Sequence, residues 1–206
     1  MRNARSILFN ACFAANCLLV FLLLLEDRLL IPSWLQVAGR MHPLVLHFPL
    51  VLVLLAAIWE MLIGFRWFHT PDGDAIGDSL LLSAALTSVI AALMGFFLSR
   101  EPGYDAAQIA LHKWSGVGLS LCCLLWYLLR TVLRRQRWRV AAASLLSVLV
   151  LLLAGHEGGI ITHGENFLGA PAAGAEETEL VPFEQAELFA HVIRPILAEK
   201  CVSCHN

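Results

Sequence analysis

Five long apolar runs divide this chain, at residues 7–25, 44–65, 80–98, 111–133 and 140–161. Each is long enough, as a helix, to cross the ~30 Å hydrocarbon layer of a bilayer, which takes about 20 residues. The layer offers no water to backbone polar groups, so such runs fold as helices that satisfy their own hydrogen bonds. Composition agrees, because 59% apolar and 15% charged residues are too greasy a mixture for a soluble globule of 206 residues. The expected fold is all-α, a polytopic membrane bundle of about five transmembrane helices. A net charge of −2, with no basic block interleaved with aromatics, gives nucleic acid nothing to bind.

The first run has the basic start of a signal peptide, but it is long and leads into "EDRLL" rather than a small-residue cleavage site, so it reads as a retained anchor. The stretch "GAPAAGAEETE", 169–179, reads as a linker, since small residues, Pro and acids cannot bury a core. The expected organisation is therefore a bundle over 1–168, a linker over 169–179 and a separate tail over 180–206. Arg130, Arg134, Arg135, Arg137 and Arg139 crowd the link between runs four and five, and Arg2 and Arg5 precede run one. The positive-inside rule makes both places cytoplasmic, and five spans then put the tail across the membrane, in the periplasm if the membrane is a bacterial inner membrane.

On that topology five histidines fall on the periplasmic side. His42 and His47 open run two in "MHPLVLHFPL", His112 opens run four in "LHKWSGVG", and His156 and His163 close run five in "AGHEGGIITHGENFL". At 1.5 Å per residue, His47, His112 and His156 lie about one turn inside the boundary, with His42 and His163 near it. His156 and His163 share a helix face if the helix survives Gly158 and Gly159. Ionisable rings at one membrane depth in different spans argue for a shared interior site. Imidazoles on facing helices are what a b-type haem takes as axial ligands. Gly116, Gly118, Gly158 and Gly159 would admit a flat macrocycle, and Arg40, Arg100 and Lys113 are candidate propionate partners. A hydrogen-bonded structural layer, a quinone head-group site and a non-haem metal site remain open for the same residues.

Other polar residues have plainer readings. His69 reads as solvated, Glu60 as a snorkelling acid or a stop on a proton route, and Asn10 and Asn16 as hydrogen-bonding partners of another helix or subunit. Trp34, Trp114 and Trp138 read as interfacial anchors. Cys12, Cys17, Cys122 and Cys123 lie inside apolar runs as small hydrophobes, not as a disulfide framework.

The remaining cysteines carry chemistry. In "AEKCVSCHN" the spacing Cys201, Cys204, His205 is the CxxCH signature, in which two thiols bond the vinyl groups of one haem and the His ligates its iron. Zinc would want a fourth ligand, for which His191 is the nearby candidate.

The run "VIRPILAEKCVSCHN" resembles the opening of the small cytochrome c domain common in Planctomycetes and Bacteroidetes. The motifs "HPLVLHFPL", "LHKWSG" and "GHEGGIITHGENFL" resemble an uncharacterised bacterial multi-span membrane domain, the type called domain of unknown function 2231, often fused ahead of such a cytochrome. Together the resemblances cover 41–206. They imply Cys201 and Cys204 as thioether residues, His205 as proximal ligand, and a domain that continues well past the motif to supply a distal Met or His. Only Asn206 follows here, so that ligand is expected from further chain, a partner, water, His191 or His163.

Two functional classes follow. One is a membrane-bound c-type cytochrome, a subunit of a larger redox complex or a partner of periplasmic cytochromes, whose bundle holds a haem b or quinol site. The other makes the bundle only an anchor and docking module, with the small residues of "LLLSAALTSVIAALMGFF" as the docking face. Transport through the His layer is disfavoured, because paired broken helices and inverted repeats are not evident.

Overall fold

The computed structural model describes residues 2–64, 70–101, 106–164 and 187–197. Among them all regular structure is helical: α1 (Arg2–Leu24), a 3₁₀ turn (Glu26–Arg28), α2 (Ser33–Gly39), α3 (His42–Val45), α4 (His47–Gly64), α5 (Pro71–Leu98), α6 (Ala106–Leu133), α7 (Arg137–His163), a π-helical turn (Leu188–Ile193) and α8 (Arg194–Leu197). Four helices are long and apolar enough to cross a membrane, in α1, α5, α6 and α7. A fifth crossing is available if Ser33–Val45 and His47–Ile63, bent by 43°, count as one span. Two compact units, Met1–Gly155 and His156–Asn206, divide inside α7. The linker 169–179, the CxxCH residues and His69 lie outside the described residues.

Sequence chemistry accounts for the departures from five straight spans. Pro49 has no N–H to give the carbonyl of Val45, and its ring crowds that carbonyl, so the helix bends at Leu46. The apolar run 44–65 therefore belongs to a bent helix pair rather than one straight helix, a feature not expected from its hydropathy. The next helix starts nine residues before its apolar run, because Thr70 caps it, accepting from the Gly73 N–H at 3.0 Å, and Pro71 fits the first turn. Gly158 and Gly159 do not break α7, which runs to Gly164 at φ +84°, the left-handed position that ends a helix.

The first unit is organised around α5, which packs on α1, α2, α3, α4 and α6. Its small buried residues, Gly77, Ala84, Ala85, Ser88 and Ala91, let neighbours come close. The small-residue face expected to dock partners is thus covered by the chain's own helices. Between α1 and α6 the buried Asn16 donates to Cys12 O at 3.0 Å and accepts from Ser120 Oγ at 2.7 Å, as expected of an amide among apolar neighbours. Asn10, by contrast, is exposed on α1. Cys12 and Cys123 are buried free thiols, whereas Cys17 is exposed.

Gly39 shows how tightly α2 sits on α5: a Cβ there would lie 2.6 Å from the Leu98 backbone nitrogen. Backbone cannot swing aside as a side chain can, so Gly39→Ala is expected to destabilise by about 1–3 kcal/mol. Gly116→Ala, where a Cβ meets nothing within 4 Å, is expected to be neutral or to stabilise by about 0.5–1 kcal/mol through helix propensity. Unfolding midpoints in mixed detergent micelles compare the two, and equal midpoints would contradict the close α2–α5 packing.

Candidate functional site

Polar side chains in the first unit gather at two ends. At one end the start of α1, the end of α4, the start of α5 and the end of α6 meet through charge. Arg134, just past α6, donates from Nε to Glu60 Oε2 at 2.9 Å, from Nη2 to Glu60 Oε1, and from Nη1 to Asp78 Oδ1 at 2.8 Å. Arg5 Nη1 reaches Asp78 Oδ2 at 3.1 Å. Arg130 Nε lies 2.8 Å from Asp78 Oδ1 but off the N–H axis, an ion pair rather than a hydrogen bond. Burial opposes the charge on Arg134, yet Glu60 and Asp78 outweigh it and hold its pKa above the ordinary arginine value. Glu60 is 0% exposed, so it does not snorkel; it is an internal counter-ion. Gly77 makes room, since a Cβ there would stand 2.6 Å from Glu60 Oε1.

At the opposite end the helices present imidazoles. His42, on α3, contacts Ala91 O of α5 through Nδ1 at 2.9 Å, and His112, on α6, contacts Ala154 O of α7 through Nδ1 at 2.9 Å. A carbonyl only accepts, so in each ring Nδ1 carries the hydrogen, and in the neutral ring Nε2 is left with a lone pair. A backbone carbonyl at Nδ1 is the usual orienting partner of an imidazole that ligates through Nε2. The two rings are neighbours, with centroids 6.0 Å apart and planes at 80°. Gly95 permits this, because a Cβ there would already be 3.1 Å from His42 Cε1.

The structure therefore pairs His112 with His42, not with His47. His47 is exposed and turns Nδ1 back to its own Leu44 O at 3.2 Å. His156 and His163 are exposed near the end of α7, seven residues and thus nearly two turns apart on one face. His191 has the opposite hydrogen arrangement: its Nδ1 accepts from the Glu187 N–H at 2.9 Å, so the neutral ring carries its hydrogen on Nε2. Arg40 pairs with Glu101 at 2.9 Å and Lys113 with Glu26 at 2.9 Å, so both candidate propionate partners already face a carboxylate. Arg100 is exposed just past α5.

The donor chemistry of His42 and His112, oriented rings whose neutral Nε2 atoms carry lone pairs, suits a metal ion or a hydroxyl donor, and Arg40 and Lys113 are already paired with Glu101 and Glu26. Among the described residues no three His, Cys, Asp or Glu side chains gather as a metal site, so a zinc-type cage of protein ligands is not formed there. The sequence signal for the pair is the glycine four residues after the accepting alanine, Gly95 after Ala91, which uncovers a carbonyl on the helix surface. No family model, no curated protein and no solved structure matches this chain.

Proposed function

We propose that this chain is a membrane-embedded electron-transfer protein whose bundle holds a b-type haem or a quinol head group at His42 and His112, and whose tail carries a c-type haem on Cys201, Cys204 and His205. The observation that carries the reading is the pair of neighbouring imidazoles with both Nδ1 atoms committed to carbonyls and both Nε2 lone pairs left for a ligand. A haem held there supplies one-electron chemistry. The chain's own part is to orient the rings, through Ala91, Ala154 and the clearance at Gly95, and to exclude solvent on the α5 side.

Sidedness supports a path from bundle to tail. The arginine end is cytoplasmic by the positive-inside rule, which makes the histidine end periplasmic, the side on which c-type haem is attached in a bacterial inner membrane. α7 leaves the arginine end at Arg137, reaches the histidine end at Ala154, and the sequence then continues toward the CxxCH motif. The chain so placed is a subunit of a larger redox complex or a donor to periplasmic cytochromes.

A second reading has its own observation. Helices α1 and α7 each bury one narrow stripe, Cys12, Asn16 and Leu19 on one and Val140, Ser144, Ser147 and Ala154 on the other. Their other faces, including the exposed amide of Asn10, suit an anchor that docks to partner subunits. A reduced-minus-oxidised spectrum with a pyridine haemochrome assay separates the readings. Both haem types are the expected result; c alone with no quinol oxidation would leave the anchor, and no haem at all would remove both.

A further inference from the structure

A cavity of about 350 Å³ lies at the arginine end, lined by Arg5, Ser6 and Phe9 of α1 and Tyr127, Leu128 and Arg130 of α6. It is an open recess rather than an enclosed pocket. Its polar wall is made by arginines. Three guanidiniums, of Arg5, Arg130 and Arg134, share two carboxylates, of Asp78 and Glu60, and Arg134 alone takes both oxygens of Glu60. The two arginines that face the recess, Arg5 and Arg130, both lean on the single carboxylate of Asp78, which Arg134 also shares. Arg130 Nε–H has no hydrogen-bond acceptor, and its guanidinium is held over the Tyr127 ring at 4.1 Å, which fixes it on the α6 wall. Phe9 and Tyr127, with centroids 5.7 Å apart, close the floor between the helices.

The apolar side is equally specific. Leu128 borders the cavity and continues along the α6 surface as Leu125 and Leu121, one helix face, all three exposed. Phe13, stacked 6.3 Å from Phe9, is exposed along α1. A charged recess thus opens onto a hydrocarbon-facing stripe. Basic recesses between transmembrane helices on the positively charged side are where anionic head groups bind.

The geometry points to a site for one anionic glycerophospholipid, its phosphate between Arg5 and Arg130 beside the Ser6 hydroxyl, its acyl chain along Leu128, Leu125 and Leu121. Phosphate oxygens accept from guanidinium forks in short, charge-assisted hydrogen bonds. The site is independent of any haem at the other end of the bundle.

The full-length protein, delipidated in dodecyl maltoside, tests it by titration with phosphatidylglycerol, with phosphatidylcholine as the zwitterionic control and sodium phosphate as the free-ion control. Phosphatidylglycerol is expected to raise the melting midpoint at concentrations where neither control does. Ser6→Glu places a negative charge at the lip of the cavity, on an exposed position at a helix start where an acid is welcome, and is expected to weaken that response roughly fivefold or more. Arg130→Gln is expected to weaken it similarly, since Asp78 keeps Arg5 and Arg134 and the fold is retained. An equal response to phosphatidylcholine, an equal response to sodium phosphate, or an unchanged response in both variants would overturn the lipid site.

Discussion

Arg134→Met is expected to destabilise the bundle by about 3–5 kcal/mol, the penalty for stranding a buried charge. The reason is asymmetry between the two carboxylates. Asp78 would keep Arg5 and Arg130, but Glu60 would lose the one guanidinium that binds both its oxygens, at a position with 0% exposure between α4 and α5. Arg134→Lys should recover only part, because an ammonium is a point charge and cannot span Glu60 and Asp78 with a fixed fork. The double variant Glu60→Met, Arg134→Met should return close to the parent, since a matched apolar pair removes both desolvation costs. Equilibrium unfolding of the parent, Glu60→Met, Arg134→Met and the double variant in mixed anionic and non-ionic micelles gives the four corners of the cycle. A double variant as unstable as Arg134→Met alone would mean that the pair is not what holds these helix ends together.

The arginine link between runs four and five was legible as a topology signal, and it is more than that. Positive-inside statistics treat Arg134 and Arg135 alike, yet only Arg134 turns inward, because α6 ends with it facing the Glu60 carboxylate across the gap that Gly77 leaves. Glu60 and Arg134 are 74 residues apart, and nothing in either local pattern announces the partner. That several apolar helices are long enough to span, and roughly where they lie, was readable because hydrocarbon thickness sets run length. Helix ends were not, because caps such as Thr70 and polar extensions past the apolar run carry no hydropathy signal. The same limit acted on the histidines. Depth counted along one straight helix places His47 beside His112, but Pro49 bends the chain at Leu46 and leaves His42, one turn earlier, as the ring that reaches α5. The prolines were in plain view; which way the bend would turn was not.

The second large effect follows from that bend. On the proposed function, His42→Ala and His112→Ala are each expected to abolish a b-type haem signal, while His47→Ala would leave it intact and a c-type haem would be unchanged in all three. A b-type haem has no covalent tether, so His42 and His112 would be what holds it, and losing either ring would remove one of its ligands. Gly95→Ala should act in the same direction more weakly, because the added methyl, 3.1 Å from His42 Cε1, displaces the ring without deleting it. Imidazole added to His42→Ala should restore part of the signal, a rescue that a merely structural role would not show. If His47→Ala removed the signal and His42→Ala did not, the ligand set would be the one read from depth alone. If purified protein carried no b-type haem, the same two variants become the test of quinol binding, in which an Nε2 lone pair would accept a hydroxyl hydrogen. In either chemistry the requirement on the chain is identical: Nδ1 must stay on its carbonyl, so that Nε2 stays bare.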